Sequence, residues 1–388
     1  MPQYKEIDNL TSCNKPNTIL HVKSLDGFRA IAVIGVLLVH WGILGVGWIG
    51  VQIFFVLSGF LITSNLLRDR CITNSIIQYL KSFYWRRFLR LFPIYYLYVI
   101  GFILIGIILK NHEITKLIIP LITYTVNIYA ILQNHANLQN VGHFWSLAVE
   151  FQFYLLWPFL IFYFSKRHFG IIVVFLLFVI PFLRLVFFLF ASQLNNDLHY
   201  AGEFINFVTV TQMDSFAMGA LIAILPKTKI KRPQFIFYAF LLLCVIIGGL
   251  NLISLFGSDL IHNKIDLLLT LGFPYLMINN YQYVWGYTLL NVLAGTLIWC
   301  IVNNKNPLPI LNSSVLVYIG RISYGIYIFH VPVLFFIRKM YTFHFFSPKG
   351  IILLIVYFLI TFLIAHFSFN YFEKLFLKLK NNVSIKKM

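Results

Sequence analysis

Apolar residues in this chain run on in long blocks, separated by short polar loops. The blocks occupy 28–46, 49–66, 91–109, 144–164, 169–191, 206–225, 234–254, 285–303, 314–337 and 350–372. Each is about as long as a helix needs to cross the hydrocarbon of a bilayer. A membrane β-barrel would instead alternate apolar and polar residues over runs of about ten, and no such alternation occurs. The pattern therefore predicts an all-α fold, a polytopic membrane helical bundle of about ten transmembrane helices. Two further apolar runs are weaker: 117–132 is short and contains Pro120, and 265–281 contains Gly272 and Pro274.

Loop charge arbitrates these two. With the N-terminus inside and 117–132 not crossing, the 67–90 loop faces the cytoplasm with Arg68, Arg70, Lys81, Arg86 and Arg87. So do "SKRH" at 165–168 and "PKTKIKRP" at 226–233, while the loop 192–205, without Lys or Arg, faces outward. A crossing at 117–132 would invert all of them, against the excess of basic residues that cytoplasmic loops carry. That run is expected to be re-entrant or interfacial, with its backbone shielded by protein. Leaving out 265–281 as well puts Lys374, Lys378, Lys380, Lys386 and Lys387 inside, and Arg338, Lys339 and Lys349 outside. The expectation is ten spans with both termini cytoplasmic. Residues 1–23 form a lead-in without the basic start and short apolar core of a cleaved signal. Residues 24–373 form the membrane domain and 374–388 a basic tail. Only 16 residues follow 372, so no appended soluble domain is expected.

Composition agrees. Hydrophobic residues make up 60% of the 388, and charged residues 11%, against about 25% charged in soluble domains. The net charge of +18 would suit a nucleic-acid partner, but its placement in loops is explained by topology and no nucleic acid is expected. Cys13, Cys71, Cys244 and Cys300 are scattered without a CxxC, so neither a metal nor a disulfide framework is expected. There is no internal repeat of the kind that builds many transporters.

Ionisable residues inside spans are costly and mark function or a buried pair. They are Arg29, His40, Glu150, Arg184, Asp214, Arg321 and His330. Arg29 and His40 are eleven residues apart, which turns a helix about 20° past three full turns, so both share one face about 16 Å apart. A linear substrate along that face could meet both: Arg29 gripping a phosphate with its guanidinium fork, His40 taking a proton near neutral pH. "WRRFLRLFP", 85–93, sets Arg86, Arg87 and Arg90 before a span, as a topological anchor or a phosphate site, with Arg86 and Arg90 on one face. Glu150 in "HFWSLAVEFQFYLLWP", at a depth similar to His40, could orient the imidazole. In "GVGWIGVQIFFVLSGFLIT", Ser58 and Gly59 read as small packing residues. Asp214 could pair with Arg184 or with Arg29. In "YIGRISYGIYIFHVP", Tyr324 and Tyr327 share a face, while Arg321 and His330, two and a half turns apart, face opposite ways. Asp26, Asp214, Arg321, Tyr324 and His330 are set down as substrate or structural support.

Five motifs in order, "LDGFRAIAVIGVLLVH", "IFFVLSGFLI", "RRFLRLFP", "FWSLAVEFQFYLLWP" and "GRISYGIYIFHVPV", resemble the membrane-bound acyltransferase family 3 over residues 23–373. That family O-acylates bacterial surface polysaccharides. Its arginine and histidine with ten residues between fall on Arg29 and His40, its arginine-rich stretch on Arg86, Arg87 and Arg90, and its acidic residue after Trp-Ser-Leu on Glu150. Departures are Gln52 where an acid is common, Phe151 in place of a second Glu, Gln212 where Arg is frequent near Asp214, and no proline after Glu373-Lys374.

The resemblance implies a single-domain member in a bacterial inner membrane, among membrane lipids. It implies cytoplasmic acyl-CoA as co-substrate, with acetyl the expected group. The implied acceptor is a hydroxyl of a surface or lipid-linked glycan, such as the O-antigen of lipopolysaccharide. His40 would be the general base or the carrier of an acyl-histidine intermediate, with Glu150 holding it, and the donor would lie on Arg29 and Arg86, Arg87 and Arg90. A transporter or flippase for a lipid-linked sugar is the rival expectation.

Overall fold

The computed structural model describes residues 22–133, 138–225, 232–256, 264–342, 344–345 and 347–379. The expected lead-in up to residue 21, the lysines at 227, 229 and 231, and the tail from residue 380 lie outside the described residues. Among the described residues there is no strand. We label the principal helices α1 Lys23–Trp41, α2 Ile49–Arg70, α3 Ile76–Ile108, α4 Trp145–Tyr163, α5 Lys166–Asn195, α6 Leu198–Phe207, α7 Met213–Ile224, α8 Gln234–Phe256, α9 Gln282–Val302, α10 Ser314–Arg321, α11 Ser323–Met340 and α12 Pro348–Phe367.

Among the described residues, eight helices are long and apolar enough to cross a bilayer, and two bent pairs complete ten. The 206–225 span is α6 and α7, bent by 74°, and the 314–337 span is α10 and α11, bent by 72°. Helices are favoured because hydrocarbon offers the backbone no hydrogen bonds, and their ends carry local signals. Ser75, Ser165, Ser313 and Ser347 cap α3, α5, α10 and α12 with side-chain acceptors. Gly42, at φ 103°, ends α1 in the left-handed region that glycine enters freely. The basic stretch expected as a loop is helical instead. Arg68 and Arg70 lie on α2, and Lys81, Arg86, Arg87 and Arg90 on α3, leaving little between them. Hydropathy marks where lipid begins, whereas good helix formers carry the helix past it.

Both doubtful runs stay out of the count. Residues 117–132 form Ile118–Ile122 and Val126–Leu132, the longer only seven residues, or about 10 Å. Tyr95 and Tyr96 donate to the Leu121 and Ile122 carbonyls at 2.8 Å, and Gln152 donates to that of Tyr124 at 3.1 Å. The other run is a short helix, Lys264–Leu268, followed by turns, with Gly272 at φ 79°. Its backbone is held by Asn251 on the Gly272 carbonyl at 3.1 Å and by Trp48 on the Phe273 carbonyl at 3.0 Å. This is the shielding by protein that irregular backbone needs in a membrane.

The bundle centres on α2 and α7, which touch backbone to backbone. A Cβ on Gly59 would lie 2.1 Å from the Phe216 carbonyl oxygen, and one on Gly219 would lie 2.0 Å from that of Val56. Small residues at such a crossing let the helices meet.

Beside it lies a fully buried ion pair that decides the partner of Asp214. Arg184 of α5 donates to Asp214 of α7, and both are fully buried. The guanidinium also donates to the Thr211 carbonyl at 2.9 Å and to Thr288 Oγ1 at 3.1 Å, and sits 4.9 Å over the Tyr287 ring. Thr288 of α9 in turn donates to Asp214 at 2.6 Å. Asp214 is thus a strut joining α5, α7 and α9, and Arg29 finds its carboxylate elsewhere. Removing one partner of such a pair typically costs about 3–5 kcal/mol because the other charge is stranded. Asp214→Ala is therefore expected to lower the thermal midpoint of the detergent-solubilised protein sharply. The double variant Arg184→Met/Asp214→Leu should recover much of the loss.

Candidate functional site: two adjoining chambers

Four helices, α1, α2, α4 and α11, each present a different set of residues toward their two ends. At one end lies a chamber of about 90 Å³ with Arg29, Ser58, Glu150, Tyr154, Ser323 and Tyr324 in its wall, joined by Arg87 and Arg90 of α3. At the other end lies a chamber of about 280 Å³ walled by His40, Trp48, Gln52, His143, Trp145, Asn206 and Tyr275. Val51 and Tyr327 line both. We call them the arginine and histidine chambers. Arg29 and His40 share a face of α1, as their spacing requires, but they open into two adjoining chambers rather than one.

In the arginine chamber the cations differ in how they are held. Arg29 donates to Asp26 at 2.8 Å, and Asp26 stands 3.7 Å from the half-exposed Arg321. Asp26 therefore positions two arginines. Arg87 lies over the Phe83 and Tyr154 rings at 5.7 and 5.8 Å, and its buried Nε has no hydrogen-bond partner. Arg86 is turned away: it pairs with Asp69, buried at 2% exposure, and bonds Ser82. Arg68 reaches the same carboxylate at 3.2 Å. The arginine triplet thus divides, with Arg87 and Arg90 in the chamber and Arg86 in a structural pair. Asp69 escaped the sequence reading because it lay in what looked like a polar loop.

Glu150 accepts hydrogen bonds from Ser58 and Tyr154. The structure brings it to the arginine chamber and not to His40. Ser58, expected to serve packing, is a hydrogen-bond donor in that wall. Tyr324 donates to the Leu91 carbonyl at 3.0 Å, which ties α11 to α3.

His40 has its Nδ1 2.8 Å from the Val36 carbonyl. A carbonyl only accepts, so this contact assigns the proton to Nδ1 and leaves Nε2 as the basic nitrogen. The His330 ring stands edge-on to it, centroids 4.8 Å apart and planes at 77°. His143 follows at 5.0 Å from His330. His143 Nδ1 and His330 Nε2 are buried without hydrogen-bond partners. Helical spacing alone sets Arg321 and His330 on opposite faces of one helix. The 72° bend at Ile322 removes the continuous helix on which that count depended. Five polar or aromatic residues of this chamber were not singled out from sequence: Trp48, His143, Trp145, Asn206 and Tyr275. Gln52, noted as a departure, is fully satisfied, donating to Gln212 at 2.8 Å and accepting from Ser215 at 2.7 Å. Among the described residues no group of three or more His, Cys, Asp and Glu could hold a metal.

A family model described as an acyltransferase domain, the third of the acyltransferase families, matches residues 22–367. The chain is 31% identical over 383 residues to the protein named "Putative O-acetyltransferase SACOL0978" of Staphylococcus aureus strain COL, covering 92% of this chain and 58% of that one. It is 28% identical over 370 residues to O-acetyltransferase OatA of S. aureus strain NCTC 8325, covering 91% and 57%. The chain thus spans rather more than half the length of these relatives. No solved structure matches. With the family model covering all ten spans and both chambers, this chain belongs to the acyltransferase family 3.

Proposed function

We propose that this multi-pass membrane protein is an O-acyltransferase. It takes an acyl group, acetyl in the first instance, from cytoplasmic acyl-CoA at the arginine chamber. It delivers the group to a hydroxyl of a cell-surface glycan in the histidine chamber, in the bacterial plasma membrane. The observation that carries this reading is the pairing of a guanidinium with an unpartnered buried Nε at one end of the shared helices with a singly bonded imidazole at the other. Arg87 Nε, buried and unpartnered, suits the phosphates of a nucleotide donor, which guanidinium groups bind in a fork. Arg29 and Arg90 add to the field.

The histidine chamber has no Lys, Arg, Asp or Glu in its wall, and three of its walls are Trp48, Trp145 and Tyr275. An aromatic, uncharged wall with amide donors suits a neutral sugar ring. In the reaction, His40 Nε2 takes the proton of the acceptor hydroxyl as its oxygen attacks the thioester carbonyl. The carbon–sulfur bond breaks, and the proton passes to the thiolate of CoA. The bond from Nδ1–H to the Val36 carbonyl stabilises the imidazolium formed midway, which is the orienting task first considered for Glu150. Glu150 instead fixes Ser58 and Tyr154, so that the wall facing the arginines keeps its shape.

Replacing His40 by Ala should abolish acetylation of envelope glycan while protein amounts stay normal, read by mass spectrometry of the glycan. Full retention of acetyl groups would remove His40 from the mechanism. Arg87→Ala should raise KM for acetyl-CoA by about tenfold or more, the worth of one charge-assisted hydrogen bond, with folded protein unchanged. Arg86→Ala should do the reverse, leaving KM near normal but cutting the yield of folded protein, because the buried Asp69 keeps only the more exposed Arg68 as a partner. Kinetics and size-exclusion profiles of the two purified variants, side by side, test the division of the triplet.

A further inference from the structure

Two side chains separate the chambers. Val51 and Tyr327 line both, and Tyr327 is the larger and the more specifically held. On the arginine side its ring meets Phe54, centroids 6.4 Å apart. On the histidine side it meets the His143 and His330 rings at 5.5 and 5.4 Å. Its hydroxyl donates to the His143 carbonyl at 2.8 Å and shares a hydrogen bond with Ser146 Oγ at 2.5 Å, and Ser146 Oγ also lies 3.2 Å from that carbonyl. The two hydroxyls and the carbonyl form one closed cluster that holds the tip of the ring. The side chain springs from α11, and its catch is the start of α4. A buried ring that packs on both faces and is pinned at its tip cannot drift; it is in place or it is swung aside.

We propose that Tyr327 is the shutter between donor and acceptor. It keeps the thioester from water on the histidine side until an acceptor is seated. This rests on the function proposed above and adds its control. Swinging aside costs the bonds to His143 and Ser146, and the same His143 presents its ring to the acceptor chamber, with an unpartnered Nδ1. An acceptor hydroxyl that bonds this nitrogen acts on the residue whose carbonyl holds the shutter. With the shutter open, the acceptor oxygen bonds the acyl carbon, the carbon–sulfur bond breaks, and the acceptor proton ends on CoA as its thiol. If water takes the acceptor's place, the same balance gives free acid and CoA thiol, which wastes the donor.

Membranes from cells producing the full chain, supplied with acetyl-labelled acetyl-CoA, give two products to count: glycan-bound label and free labelled acetate. Tyr327→Phe keeps the ring and drops both hydrogen bonds, and Tyr327→Ala removes the ring. The expected result is a several-fold rise in the ratio of acetate to glycan label in Tyr327→Phe, and a further rise in Tyr327→Ala. A merely destabilised protein would lose both products together and leave the ratio alone; Tyr327→Phe, which alters no packing volume to speak of, covers a failure of Tyr327→Ala to fold. An unchanged ratio in both variants, with wild type labelling glycan, would overturn the shutter alone. Wild-type membranes that label no glycan would overturn the acyltransferase reading and the shutter with it.

Discussion

An ionised group in hydrocarbon costs several kcal/mol unless a partner or a water-filled space takes it. Most of the charged side chains within this bundle answer that demand in pairs. Arg184 has Asp214, Arg29 has Asp26, and Arg86 has Asp69. The Arg184–Asp214 and Arg86–Asp69 pairs bind helices that the hydrophobic effect could not hold together, because lipid is as apolar as leucine, whereas Arg29 and Asp26 pair within α1. Glu150 breaks the pattern: hydroxyls of Ser58 and Tyr154, rather than an arginine, satisfy it. That leaves Arg87, with its buried Nε unbonded, facing a chamber whose one carboxylate, Glu150, is taken up by hydroxyls. The three acid–arginine pairs account for architecture, and Arg87 and Arg90, which belong to none of them, mark where a soluble anion would be welcome.

The same demand on the backbone shapes the other chamber. Two apolar segments enter the bundle without crossing it, and each has its carbonyls covered by side chains of neighbouring helices. One of them delivers Tyr275 to the histidine chamber, and Trp48, whose indole holds that segment at Phe273, forms part of the same wall. Shielding a non-helical backbone and building an aromatic binding wall are therefore accomplished by one set of residues. The break between α6 and α7 serves similarly: Asn206, near the end of α6, reaches the chamber because the chain turns there rather than running straight on.

What sequence could reveal follows from which interactions are local. Hydropathy runs are local, so all ten spans were legible, and loop charge was enough to keep 117–132 and 265–281 out of the count. Helical arithmetic is also local, and it set Arg29 and His40 on one face. It failed for Arg321 and His330, because nothing in "GRISYG" announces a 72° bend. Partners are not local. Asp69 is 17 residues from Arg86, Asp214 is 30 from Arg184, and Ser58 is 92 from Glu150. His143 looked like a loop residue beside a span, and only the fold sets it 5.0 Å from His330. The depth argument for joining Glu150 to His40 used one coordinate where three were needed.

On the proposed reading, the division into two chambers follows from the chemistry of the donor. A nucleotide carries several negative charges, and drawing them through the bundle would meet the same penalty that makes every buried arginine here seek a partner. An acyl thioester, by contrast, is neutral and slender. A site that holds the phosphates at one end and passes only the uncharged arm toward the other avoids the penalty altogether. The chambers are built to that asymmetry: arginines in one wall, aromatic rings and neutral amides in the other. Their common boundary is a valine and a tyrosine, an opening that suits a thin apolar arm far better than a charged headgroup. On that reading, moving the acyl group rather than its carrier lets one polypeptide do chemistry on the far side of a membrane without drawing a charged nucleotide through it.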